Sequence, residues 1–92
     1  MRRWSMRGWF EMARAEKLLA AMRANPRDWT ISDVERLCRA FELECAAPSR
    51  GSHYKVRHPR IGGRLTIPAH KPIKEVYILL LIDLIEKVDR LK

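Results

Sequence analysis

The sequence predicts an α+β domain: a three-stranded antiparallel sheet with helices on one face, in the order αβββα, preceded by an extra N-terminal helix. Three observations predict it. Residues 52–58 and 64–68 alternate apolar and polar between glycine-bearing turns, as strands buried on one side do. Two helix-forming segments precede them, separated by Asn25-Pro26. After them, residues 73–91 are apolar enough, and long enough, for one more helix. At 92 residues the chain suits one domain with a thin core.

The elements follow in order. Residues 1–10 read as a loose basic, aromatic arm. Residues 11–24 are rich in Ala, Leu, Met, Glu and Arg, all good helix formers, and Asn25-Pro26 stops them. Trp29 then pins the linker to the core. Ser32 and Glu35 fit a capping box that opens the second helix. Val34, Leu37, Cys38 and Phe41 recur on one face of it, and it is expected to end near Leu43.

Glu44 to Pro48 is weakly extended. Ser52 to His58 points Tyr54 and Val56 one way and His53, Lys55 and Arg57 the other. Arg64 to Pro68 turns Leu65 and Ile67 inward and Arg64 and Thr66 outward. The last helix is expected over about 73–91, behind Pro72, with Val76, Tyr77, Leu80, Leu84 and Val88 as its core stripe. Ile78, Leu79, Leu81, Ile82 and Ile85 make a second apolar side. That side needs the first helix, a second copy of the chain or another protein to cover it.

Charge narrows the function. From Cys45 to Lys74 there are seven Lys or Arg, all three His and no acid, so nearly all of the net +8 sits in that stretch. Such a field attracts polyanions. Imidazoles titrate near neutrality and so move protons there. Together they suit holding a phosphodiester and shuttling protons around it.

Other classes recede. Two cysteines are too few for a disulfide framework, so Cys38 and Cys45 read as reduced thiols. The longest apolar run, Val76 to Ile82, falls far short of the ~20 residues that span a bilayer. A cytoplasmic location without membrane contact is expected. Cys38, Cys45, His53 and His58 are not spaced like zinc ligands, and no metal or cofactor is expected. Trp4, Trp9 and Trp29 read as packing residues rather than base-stacking platforms.

The residues from Ser32 to about Lys87 resemble the HicA family of bacterial toxins. The resemblance rests on Gly51-Ser52-His53, the basic strand ending in His58-Pro59, and Leu65-Thr66-Ile67-Pro68 with His70 two residues beyond. It divides the chain into an N-terminal extension, 1–31, and a HicA-like domain, 32–92. It implies a fold like a double-stranded-RNA-binding domain. It also implies metal-independent cleavage of mRNA that arrests translation, and neutralisation by a HicB-like antitoxin. The histidine of Gly-Ser-His, His53, would be the catalytic one. Residues 1–31 have no counterpart in the minimal family. The last helix is longer and more apolar than usual, which allows a homodimer through it.

Metal-free RNA cleavage needs a base for the 2′-hydroxyl, an acid for the leaving oxygen and cations for the phosphorane. His53 is the candidate base and His70 the candidate acid. His58 ranks lower, because a regular strand points it away from His53. Gly51 and Ser52 let the backbone approach a phosphate. Lys55, Arg57, Arg64 and Thr66 are candidate RNA contacts, while Arg50 and Arg60 supply diffuse attraction. The rival readings are a non-catalytic RNA-binding module and a basic subunit that docks an acidic protein.

Overall fold

The computed structural model describes residues 6–91, with side chains from Met12 onward. Three helices and three strands follow in the order α1 (Met6–Ala24), α2 (Ile31–Ala40), β1 (Glu44–Ala46), β2 (His53–Arg57), β3 (Leu65–Pro68) and α3 (Glu75–Asp89). The architecture is thus α+β, ααβββα.

Helix α1 begins at Met6, so residues 6–10 are helical rather than a loose arm; residues 1–5 lie outside the described residues. Once a helix is nucleated, extending it by a residue costs little, and only Gly8 among these five is a poor helix former. Pro26 ends α1 as expected. Trp29 donates its indole N–H to the Asn25 carbonyl at 2.6 Å and packs against the core, which ties the linker down.

Helix α2 is capped two residues earlier than the Ser32 and Glu35 pattern suggests. Thr30 is the N-cap, and its backbone N–H and hydroxyl both donate to one Asp33 oxygen, at 3.0 and 3.1 Å. The helix ends at Ala40 rather than near Leu43. The Leu43 N–H donates back to the Cys38 carbonyl at 2.8 Å across Glu42, whose φ is 60°. This is a Schellman-type stop with glutamate in the left-handed position that glycine usually fills.

The sheet order is β1-β2-β3, antiparallel throughout, with β2 in the middle. Its registers set Glu44 opposite Arg57, Cys45 opposite Val56 and Ala46 opposite Lys55 on one side. On the other side His53 faces Pro68, Lys55 faces Thr66, and Val56 faces Leu65. Gly51 and Gly63, at φ 78° and 81°, supply the left-handed positions in the turns that bracket β2. Helix α2 packs on β1, α3 packs on β3, and α1 packs on both helices. One core results, with Ala15, Leu19 and Met22 of α1 joining Val34, Leu37, Val56, Ile67, Ile78 and Leu81.

Helix α3 spans Glu75–Asp89 rather than 73–91, with Lys74 as its N-cap. Most of the expected stripe is overturned; of its five residues Val88 alone is buried. Ile78, Leu81, Ile82, Ile85 and Val88 are buried, whereas Val76 and Leu80 are 54% and 45% exposed and Tyr77 and Leu84 are half-buried. The sheet and α1 cover the second apolar side except at Leu79. Val76, Leu79 and Leu80 remain as an exposed apolar strip. No helix among the described residues is long and apolar enough to cross a membrane.

Candidate nucleic-acid interface

Alternation along β2 divides the strand between two environments. Val56 is fully buried and Tyr54 half-buried on the core side, while His53, Lys55 and Arg57 are exposed on the other face. Thr66 and Arg64 join that face from β3 and the turn before it. A row forms across the sheet from Ala46 through Lys55 to Thr66. A second row runs from Glu44 through Arg57 towards Arg64. Arg57, Gly63 and Arg64 line a recess of about 310 Å³ at that end. From His53 to Arg57 the strand advances about 13 Å, four residues at ~3.3 Å each.

The turn geometry places His53. Gly51 takes the left-handed conformation, and among the described residues no atom beyond its own chain neighbours lies within 4 Å of where its Cβ would stand. The backbone is therefore open to close approach there. Ser52 is half-buried and its carbonyl accepts the Ala69 N–H at 2.7 Å, which continues the β2–β3 pairing past its last ladder position. By that register His70, which is exposed, follows directly on the residue paired with Ser52 and stands beside Gly51. The backbone thus brings the two candidate histidines to one end of the sheet.

His58 is elsewhere. It is half-buried beside Phe41, Glu42 and Val88, and its Nδ1 accepts the Arg60 N–H at 3.1 Å. An Nδ1 that accepts leaves the proton of the neutral ring on Nε2. Among the described residues no side chain hydrogen-bonds to the His53 ring.

One contributor escaped the sequence. Glu44 sits just before the acid-free stretch, yet the register sets it opposite Arg57, and its Oε1 lies 3.6 Å from Arg57 Nε. The face is less uniformly cationic than the linear charge pattern implies. The signal was present in the β1–β2 register, but the turn between those strands is too long for sequence alone to fix it.

The cysteines belong to the interior. Cys38 is buried on α2 and Cys45 is half-buried on β1. Burial pushes the Cys38 thiol far up, and its neighbour Cys45 adds to the shift; burial also raises Cys45. Thiols held protonated are poor nucleophiles and poor ligands. Among the described residues no three His, Cys, Asp or Glu side chains are placed to share a metal ion.

The site thus defines a class: a largely cationic sheet face with imidazole at one end. Comparison with protein families, with curated proteins and with solved structures gives no match for this chain.

Proposed function

We propose that this chain is a HicA-like toxin of a toxin–antitoxin pair, an endoribonuclease that cleaves mRNA on a sheet resembling that of a double-stranded-RNA-binding domain. The observation that carries the reading is the exposure of His53 on the sheet face opposite the core, at the start of the middle strand and in line with Lys55. In this reading RNA crosses the sheet with a phosphate beside Lys55. His53 removes the proton of the 2′-hydroxyl, whose oxygen then forms a bond to the adjacent phosphorus. The bond from phosphorus to the 5′-oxygen breaks, and His70 protonates that oxygen. The products are a 2′,3′-cyclic phosphate and a 5′-hydroxyl. The Lys55 ammonium and the backbone at Gly51 and Ser52 offset charge on the phosphorane. Arg57, Arg64 and Thr66 hold flanking phosphates and 2′-hydroxyls. No metal takes part.

An acidic HicB-like antitoxin is the proposed neutralising partner, covering the cationic face. A second copy of the chain over Val76, Leu79 and Leu80 is the homodimer this reading allows. The rival is a non-catalytic RNA-binding or docking subunit. It is favoured by the lack, among the described residues, of any side chain hydrogen-bonded to the His53 ring, since a catalytic base is commonly oriented by a third group. Incubation of the pure chain and its His53→Ala variant with a defined RNA in chelator decides between them. The nuclease reading expects cleavage by the wild type only, with comparable RNA binding by both. Intact RNA with the wild-type chain would leave the binding module.

A further inference from the structure

A second concentration of positive charge lies on the helical side of the molecule. Arg14 of α1, together with Arg36 and Arg39 of α2, lines a cleft of about 360 Å³ between the two helices, with Ala15 and Ala40 completing its wall. Among the described residues no acidic side chain lines it. The nearest carboxylate to Arg36 is Asp33 at 3.9 Å, and Asp33 already accepts two hydrogen bonds from Thr30 at the start of α2. Three guanidiniums around one concavity repel each other, and their fields add within it.

The residue types specify the ligand further. Arginine stays charged at any pH of interest, and its planar fork pairs bidentately with phosphate oxygens. The alanines let such a group approach the helix surfaces closely, and buried Ala15 gives the cleft a fixed floor. Among the described residues no aromatic ring lines the cleft to stack on a base. A volume near 360 Å³ lies at the small end of ligand sites but exceeds what a single phosphate needs.

We propose that the cleft between α1 and α2 binds linked phosphates, two or three in series, gripped by Arg14, Arg36 and Arg39. Free oligophosphate and the backbone of RNA are two sources of that chemistry. The inference stands apart from the nuclease reading, because the cleft shares no lining residue with the sheet face.

Inorganic tripolyphosphate, titrated into the full chain and followed by amide NMR, tests it. Saturable shifts are expected at Ala15 and Ala40. The triple variant R14Q/R36Q/R39Q keeps helix-forming side chains and should bind about tenfold more weakly or worse, from the loss of charge-assisted hydrogen bonds. Its amide spectrum reports whether it is folded. A short RNA added to K55Q/R57Q, whose sheet face is weakened, identifies the source. Shifts at Ala15 and Ala40 there indicate RNA backbone; shifts with tripolyphosphate alone indicate free oligophosphate. Unmoved Ala15 and Ala40 amides at millimolar tripolyphosphate, or equal affinity of the folded triple variant, would overturn the proposal.

Discussion

Two basic regions of this molecule differ in shape and in chemistry. The outer sheet face carries one recess at its Arg57–Arg64 end and mixes imidazole, ammonium and guanidinium with, among the described residues, one carboxylate, Glu44. The α1–α2 cleft is concave, and guanidinium is the only charged group lining it among the described residues. A guanidinium does not exchange its proton at neutral pH, so the cleft can bind an anion but cannot act as base or acid on it. The sheet face can do both. Positive charge alone therefore does not mark a reactive surface. What sets the two regions apart is an imidazole that solvent reaches.

The sharpest way to break this contrast is the exchange of His53 for alanine. Loss of a positioned general base is expected to lower the cleavage rate roughly 10²- to 10⁴-fold. Exposed His53 supports no packing, so the melting temperature should stay close to that of the wild type. A rate that survives would reduce the sheet face to the same role as the cleft. Next comes Lys55→Ala. It removes one phosphate contact, so RNA affinity should fall about tenfold and the slope of log affinity against log salt should shrink by about one. Affinity measured across a salt series checks both numbers. An unchanged slope would mean that RNA does not lie over the middle of the sheet.

A third prediction concerns the layer between the two regions, where Cys38 of α2 and Cys45 of β1 sit. Burial raises both thiols above their ordinary 9.0. The folded state therefore keeps protons that the unfolded chain gives up. That contribution is complete below pH 9 and is lost as pH rises beyond it. One thiol accounts for about 1.4 kcal/mol per pH unit in this range. Urea unfolding under reductant at pH 8 and pH 10 should show wild type losing about 1 kcal/mol more than Cys38→Val. Equal losses would mean that Cys38 ionises freely in the folded chain.

The sheet face was legible in advance because β2 alternates without exception. His53, Lys55 and Arg57 had to share a side once Val56 was inside. Helix α3 offered no such constraint. Its residues 76–82 are apolar without a break, so periodicity could not choose a face, and the packing of β3 and α1 chose the one that contains Ile78 and Ile85. The start of α2 was ambiguous for a different reason. Thr30 with Asp33, and Ser32 with Glu35, are overlapping capping patterns, and the tether of Trp29 to Asn25 favours the earlier. Neither the Glu44–Arg57 pair nor the arginine cleft was visible. Each joins residues whose proximity depends on strand register or helix packing rather than on spacing along the chain.

The smallest expected effect is also the one that probes the sheet face most finely. Glu44 is the single acid on that face among the described residues, and its pairing with Arg57 is half exposed on both sides. Such pairs contribute little to stability, so Glu44→Gln should leave unfolding within about 0.5 kcal/mol of wild type. For RNA the sign reverses. Removing the carboxylate frees Arg57 and withdraws a charge that repels phosphate, so affinity should rise, roughly two- to fivefold at low salt, fading as salt screens the face. Tripolyphosphate binding in the cleft should not change, because Glu44 is not among its lining residues. A gain in the cleft as well as on the sheet would show that the two regions share one diffuse field. A gain on the sheet alone would show that Glu44 sets the strength of that face locally, at the row of Arg57 and Arg64.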